Sequence, residues 1–302
     1  MKKDIIKTLR YFAFFSYAPS LEEIYLFLPQ RASRGSLEGK LNQMQKEGSI
    51  AREKLFRNRH GDSLYRYTLV EYSIKFKGQR SKVKISQKKI QKIQLYIKLL
   101  SFFPQIQLIG LSGSVAMRSA EKGDDIDIFI ITKSDRLWTG RFIAVIIAQL
   151  IGMRRTRQKF HRGGGTFGVK DKICLNLFFD EKNLCVSKKK QNQYVAHEIL
   201  QMKPLYVRDD VYPRFLKANS WVFKLFPNVR SSMPFFDSQR SPTASGIPAH
   251  KKGHLRFPGN LCEYFLKKLQ LVLINRHRTT ELITATQLWF FPDDFEKKLN
   301  KK

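Results

Sequence analysis

Three aspartates crowd into four residues of this chain, Asp124, Asp125 and Asp127, within the stretch LIGLSGSVAMRSAEKGDDIDIFIIT (residues 108–132). The chain as a whole has 56 lysines and arginines against 25 aspartates and glutamates, a formal net charge of +31. Carboxylates that lie this close together repel each other. The cluster therefore indicates either a cation bound between the side chains or a turn in which water solvates each of them.

The local pattern favours the bound cation. The segment DDIDIFIIT reads as a strand, and side chains two apart on a strand share a face, so Asp125 and Asp127 point the same way. Two carboxylates on one face can hold a pair of Mg²⁺ or Mn²⁺ ions, which prefer oxygen ligands. Asp124 is then a solvated neighbour or a supporting group rather than a third ligand.

A glycine and a serine precede the carboxylates. Gly113 follows an apolar strand-like run, and a glycine at such a turn lets the backbone approach a ligand closely. Ser114 opens a short helical segment whose first N–H groups can bind an anion, and its hydroxyl adds a donor. Phosphate oxygens and metal ions together suit a triphosphate, since metals that bind both phosphate and carboxylate stabilise an in-line displacement.

The Gly-Ser pair, an aspartate twelve residues after the glycine, and Asp-x-Asp before an apolar strand resemble the motif of the nucleotidyltransferase superfamily of the DNA polymerase beta type. The resemblance covers residues 90–229 and, within the superfamily, indicates a bacterial nucleotidyltransferase-domain protein. It implies Mg²⁺- or Mn²⁺-dependent transfer of a nucleoside monophosphate from an NTP to a nucleic acid or a protein hydroxyl. The implied nucleotide-binding residues are Gly113, Ser114 and Arg118, and the implied metal ligands are Asp125 and Asp127.

The chain departs from this family at the third carboxylate, which a later strand supplies as a metal ligand and base. In DKICLNLFFD (171–180) that position is taken by Cys174 and Asn176, and an asparagine cannot act as a base. Asp180 ends the strand and reads equally well as the start of a turn. We take Asn176 and Asp180 as further catalytic candidates. The alternative is a catalytically degenerate, nucleotide-sensing, DNA-binding regulator.

The residues before position 73 predict three short helices and then two strands, the order of a winged helix-turn-helix. Ser20 and Glu23 form a capping-box pattern at the start of the second helix. Basic residues lie on the third helix and at the hairpin, where they would contact nucleic acid: Arg34, Lys40, Arg57 and Arg59. Modules of this kind also bind proteins, so an interaction scaffold remains the second interpretation.

These elements predict an α+β fold of four parts. They are a winged-helix-like domain (1–72), a nucleotidyltransferase domain with a mixed sheet flanked by helices (73–229), a linker or disordered insert rich in Ser, Pro and Gly (230–259), and a C-terminal helical segment (260–302). The last segment is strongly apolar. We expect it to pack on the catalytic domain or on a second copy of the chain, which would make a homo-oligomer.

Bulk composition narrows the class of partner. A pI near 10.2 favours a polyanion, either nucleic acid or an anionic membrane surface, although the peripheral membrane interpretation rests on charge alone. The most apolar run, FIAVIIAQLIGM (142–153), has 12 residues, against the ~20 needed to span a bilayer, so we predict no membrane span. Three scattered cysteines exclude a disulfide framework and a zinc site and predict a cytoplasmic protein.

The sequence leaves two roles undecided, those of Arg141 and His197. Arg141, on the helix after the Asp-x-Asp strand, either touches phosphate or is solvated, and solvation is the stronger interpretation. His197 and Glu198 lie on a helix that should end near Pro204. For His197 the first interpretation is a buried core histidine and the second is contact with the nucleotide.

Overall fold

The computed structural model describes residues 1–57, 63–76, 78–155, 171–232, 260–276 and 281–290. Its centre is a six-stranded mixed sheet flanked by helices on both faces. The helices are α1 (Lys2–Phe14), α2 (Leu21–Leu26), α3 (Arg34–Lys46), α4 (Gln79–Lys92), α5 (Gln94–Ser101), α6 (Gly113–Ala116), α7 (Leu137–Leu150), α8 (Gln193–Gln201), α9 (Val211–Ala218), α10 (Val222–Leu225), α11 (Pro227–Ser232) and α12 (Asn260–Asn275). The strands are β1 (Ile50–Arg57), β2 (Ser63–Leu69), β3 (Ile106–Leu111), β4 (Ile126–Thr132), β5 (Ile173–Asp180), β6 (Lys203–Val207), β7 (Leu282–Ile283) and β8 (Gln287–Trp289).

The N-terminal elements follow the order that the sequence predicts. α1, α2 and α3 are followed by an antiparallel pair, β1–β2, and a 3-10 helix, Val70–Phe76, continues the chain. The predicted capping box is confirmed, because the Ser20 side chain accepts from the Glu23 amide and the Ser20 amide donates to the Glu23 carboxylate. α3 ends before Gly48, whose φ of +69° is the left-handed conformation that glycine adopts without strain.

The central sheet has the strand order β6-β3-β4-β5-β8-β7. β4 and β5 are parallel and are joined across α7, while β3 pairs antiparallel with both β4 and β6. Neighbouring residues of β4 alternate between two cores: Ile128 and Ile130 face α5 and α7, whereas Phe129 and Ile131 face α8 and α9. The mixed sheet flanked by helices is thus as predicted.

The N-terminal helices share one of these cores. Tyr11, Phe12 and Phe27 pack in the same cluster as the β4 and α8 side chains. Asn228, just inside α11, donates to the Tyr25 carbonyl at 3.0 Å and accepts from the amide of residue 32 at 3.1 Å. The predicted segments 1–72 and 73–229 therefore meet in a continuous apolar interface.

A bulge in β5 exchanges the faces of the sheet to which the side chains of its second half point. The β4–β5 register shifts after the Ile128–Leu175 pair, so Phe129 lies beside Leu177. Strict alternation predicts that Asn176, Phe178 and Asp180 share a face. In the structure Phe178 packs in the α7-side core instead, because the extra residue turns the strand over.

The C-terminal segment differs from the all-helical prediction. α12 ends at Asn275, and after it β7 and β8 form an antiparallel pair that joins the edge of β5. Hydrogen bonds from the Asp180 amide to the Thr286 carbonyl (2.8 Å) and from the Phe290 amide to the Asn176 carbonyl (2.8 Å) satisfy backbone groups that β5 would otherwise leave open. The apolar run at 281–290 is therefore a sheet edge and not a helix.

α12 docks on the start of α7. The Glu263 carboxylate accepts from the backbone amides of Trp138 (2.7 Å) and Thr139 (2.9 Å), which are unpaired donors of the first α7 turn. Gln270 donates to the Trp138 carbonyl at 2.8 Å. Packing on the segment 73–229, one of the two predicted arrangements, is thus present. Within the described ranges, no helix is both long and apolar enough to cross a membrane.

Candidate functional site

The turn after β3 lies directly against a carboxylate of β4. Gly113 has a φ of +63°, and a Cβ added there would lie 3.2 Å from Cγ of Asp127 and closer still to its Oδ2. No residue with a side chain fits this turn without moving Asp127. The first N–H groups of α6 and the acidic pair therefore face the same space, as the motif spacing predicts.

Asp125 and Asp127 come together with Cys174 of β5. One ligand atom from each of the three lies within 4.8 Å of the others. Asp125 forms an ion pair with Arg155, and Asp127 accepts a hydrogen bond from the Asn176 side-chain amide. All five side chains line one cavity of about 1030 Å³, large enough for a nucleotide and part of a second substrate.

In this cavity the negative charges of Asp125 and Asp127 are only partly neutralised. The pKa of Asp127 is raised to about 8, mainly by burial and then by the charges of Asp125 and Glu198, while Asn176 and Arg155 act in the opposite direction. Burial likewise raises the pKa of the Cys174 thiol to about 12, so the sulfur keeps its proton at neutral pH. That thiol lies 2.7 Å from the Asn176 side-chain oxygen and donates to it.

Asp124 has a structural role. Its carboxylate accepts from the Ser114 hydroxyl (2.7 Å) and from the Glu121 amide (3.0 Å), so it ties the Gly-Ser turn to the start of β4. The buried Lys89 ammonium donates to the Asp124 carbonyl at 2.5 Å and pairs with Asp171 at 2.7 Å. The Ser114 hydroxyl thus donates its hydrogen to Asp124. The donors that the Gly-Ser turn can still offer to a ligand are backbone amides.

Glu198 is a further carboxylate in the cavity, which the sequence did not assign to the site. Burial raises its pKa to about 7, and the nearby Gly113 amide has a smaller effect in the opposite direction. The preceding residue, His197, stacks between Tyr11 (3.6 Å between ring centroids) and Phe27 (4.3 Å), the buried core role that was the first interpretation. A helical pattern can place Glu198 on α8 but cannot show that α8 faces Gly113.

Asp180 is not brought to the site. It pairs in register with Thr132 at the far end of β4, where it is buried and accepts from the amides of Asp135 (2.8 Å) and Lys182 (2.9 Å). This is the turn role that the sequence left as its equal alternative. Arg118 is exposed and does not line the cavity.

The predicted nucleic-acid contacts are only partly described. Arg34 is engaged, because it pairs with Glu22 at 2.7 Å and stacks over Tyr25. Lys40 is only half-buried and bonds to Gln43 of its own helix at 2.9 Å. The two hairpin residues cannot be placed in the same way: the side chain of Arg57, at the end of β1, and the whole of Arg59 lie outside the described residues.

No family model matches the chain, and neither the curated proteins nor the solved structures contain a significant match. The function must therefore be inferred from the geometry of the site itself.

Proposed function

We propose that the chain is a Mg²⁺- or Mn²⁺-dependent nucleotidyltransferase, which transfers a nucleoside monophosphate from an NTP to an acceptor hydroxyl and releases pyrophosphate. The observation that carries the proposal is the contact between the Gly113 turn and the Asp127 carboxylate in one cavity. An anion-binding turn against two carboxylates on one strand face suits a substrate that brings phosphate oxygens together with metal ions.

The donor set fits a hard divalent cation. Asp125 and Asp127 supply oxygen ligands, and the raised pKa of Asp127 reflects first its burial and then the charges of Asp125 and Glu198, which a bound cation would offset. These two residues would hold the metal, which supplies electrostatic stabilisation of the reacting phosphate when bound. Cys174 is a poor ligand for such an ion because hard divalent cations prefer oxygen donors over a soft sulfur.

The remaining residues position the substrate. The Gly113 amide, which lies near the Glu198 carboxylate, would donate to a phosphate oxygen of the bound nucleotide. Asp124 holds the turn through Ser114. Arg155 shields Asp125 and would be free to pair with phosphate when a metal takes over that carboxylate.

The acceptor is proposed to be nucleic acid because of the net charge of +31, and the N-terminal elements, arranged in winged-helix order, would bind it. Because the binding depends on phosphate contacts, the affinity for duplex or single-stranded nucleic acid should fall steeply as the salt concentration increases.

The test is incubation of the purified chain with each α-labelled NTP and Mg²⁺, alone and with total cellular RNA. We expect label transfer by the wild type and none by Asp125→Ala/Asp127→Ala. The control is Asp209→Asn, since Asp209 is exposed and has a φ of +52° that asparagine also adopts. Transfer that survives in the double variant, or fails in every combination of NTP and acceptor, contradicts the proposal.

A second candidate is a nucleotide-sensing DNA-binding regulator without catalysis. It is favoured by the absence of an acid at the centre of β5, where Cys174 and Asn176 lie, and by the contact of Glu198 with the Gly113 amide. Mg²⁺-dependent NTP binding without transfer to RNA or protein would support this candidate over the first.

A further inference from the structure

A second charged cluster lies in the same cavity. Arg141, on α7, donates from Nη1 to the Gln270 side-chain oxygen at 2.6 Å, and its guanidinium carbon lies 4.9 Å from the centre of the Phe290 ring. Its Nε is buried and has no hydrogen-bond partner among the described residues. Arg154, just before the end of the described segment 78–155, lines the cavity with it.

The two arginines are close enough to affect each other. Burial, and to a smaller extent the charge of Arg154, lower the pKa of Arg141 to about 10. Glu281 lines the same cavity, but among the described residues no carboxylate forms an ion pair with either arginine, in contrast to Arg155, which pairs with Asp125. The adjoining segment 156–170 contains no aspartate or glutamate that could do so.

This arrangement costs free energy in the absence of an anion. A largely buried cation such as Arg141 is normally paired, because a desolvated charge without a counter-ion is unfavourable, and the charge of the neighbouring, exposed Arg154 adds repulsion. Gln270 and Phe290 fix the Arg141 guanidinium in place without neutralising it. A planar guanidinium with a free N–H matches the geometry of phosphate oxygens.

We propose that Arg141 and Arg154 form a phosphate-binding site on the cavity wall, separate from the Gly113 turn. The phosphate belongs either to the tail of the nucleotide or to the acceptor. Assigning it to a nucleotidyltransferase substrate rests on the proposed function, whereas the phosphate site itself rests on the arginine pair.

The test measures binding by calorimetry at constant ionic strength, without divalent cations, for two probes: inorganic tripolyphosphate and a 5′-phosphorylated oligonucleotide compared with its 5′-hydroxyl form. The variants are Arg154→Gln and Arg141→Gln/Arg154→Gln. The matched control, Lys217→Gln/Arg230→Gln, removes the same charge from exposed positions. Because Arg154 makes no side-chain hydrogen bond among the described residues, its single variant keeps the experiment informative if loss of Arg141 unfolds the chain.

We expect the double variant to bind at least one probe about tenfold more weakly or worse, and the control to stay within about twofold of the wild type. Weakening confined to tripolyphosphate assigns the site to the nucleotide tail, and weakening confined to the 5′-phosphate assigns it to the acceptor. Equal weakening in the control, or no phosphate binding by the wild type, overturns the proposal.

Failure of this site and failure of the proposed function give different results. Asp125→Asn/Asp127→Asn should still bind the probe but should not transfer label. Arginine-dependent phosphate binding in a wild type that never transfers label would leave the site standing and reject the nucleotidyltransferase. If the arginine variants change neither label transfer nor probe binding, the phosphate site is rejected and the nucleotidyltransferase stands.

Discussion

The proposed function depends on the close approach of the Gly113 turn to the Asp127 carboxylate. The glycine has a left-handed φ, and its missing side chain leaves the space that the Asp127 carboxylate fills. No other residue fits this position, since a Cβ would strain the left-handed backbone and would clash with the carboxylate. Glu198 and Asn176 complete the contacts of this pair.

The first prediction concerns Gly113→Ala. Backbone strain and displacement of Asp127 should lower the free energy of unfolding by about 2 kcal/mol and abolish label transfer. The control is Gly123→Ala in the same loop, where an added Cβ meets no atom within 4 Å. Urea denaturation and the transfer assay measure the two effects. An active Gly113→Ala variant would show that the turn does not approach the substrate.

The second prediction is a pH dependence of stability that Asp127 causes. Its pKa rises from 3.8 in the unfolded chain to about 8 in the fold, so the folded state keeps a proton that the unfolded state releases. The stabilisation is complete below pH 4 and is lost as pH rises to about 8. In metal-free thermal scans, wild type should therefore lose stability over this range relative to Asp127→Asn. Parallel profiles would contradict the assignment.

Individual buried polar side chains connect separate helices, strands and loops of the fold. Lys89 on α4 bonds to the Asp124 carbonyl and to Asp171, which precedes β5, and so joins the two loops that carry the acidic cluster. His197 on α8 joins the central sheet to the N-terminal helices through Tyr11 and Phe27.

The third prediction compares the two lysines that pair with Asp171. Lys89 is 2% exposed and Lys92 is 54% exposed at the side chain. Lys89→Met should lower the free energy of unfolding by about 3 kcal/mol, because it removes a buried partner of Asp171 and of the Asp124 carbonyl. Lys92→Met should cost less than about 1 kcal/mol. Chemical denaturation of both variants decides this, and equal losses would refute it.

The fourth prediction concerns His197. Burial holds its pKa well below 6.5, so on acidification the unfolded chain binds a proton that the folded chain excludes. Wild type should lose stability below about pH 6.5 more steeply than His197→Phe, which retains the stacking between Tyr11 and Phe27. The comparison of unfolding midpoints between neutral and mildly acidic buffer measures it. A wild-type profile as flat as that of the variant would indicate a protonated histidine in the fold.

At the scale of the whole molecule, α12 leaves one apolar side uncovered by the described residues. Its inner side packs on α7 through Leu266 and Gln270. The exposed large side chains are Leu261, Tyr264, Phe265, Leu269, Val272 and Leu273. A stripe of this kind is typical of an association surface.

The fifth prediction is therefore self-association through α12, the second arrangement that the sequence leaves open. Each copy carries a charge of +31, so association should strengthen as salt screens the repulsion. Leu261→Ser/Phe265→Ser should shift the chain to monomer, and Leu225→Ser on α10 should not. Sedimentation velocity over a range of concentrations tests it, and a monomeric wild type at high salt and high concentration would exclude it.

The sequence alone determined the local features of the fold and of the site. The capping box at Ser20, the turn at Gly113 and the shared face of Asp125 and Asp127 follow from residue type and spacing, which depend on a few neighbouring residues. Most helices and strands could be predicted for the same reason.

Only the tertiary structure decided which distant residues join the site. The β5 bulge and the turn after it keep Asp180 away, α8 brings Glu198 to Gly113, and α7 turns Arg141 into the cavity. The edge strands β7 and β8, read as helix in the sequence, form because β5 offers them backbone partners. Each of these outcomes depends on packing between segments far apart in the chain, which periodicity within one segment does not encode.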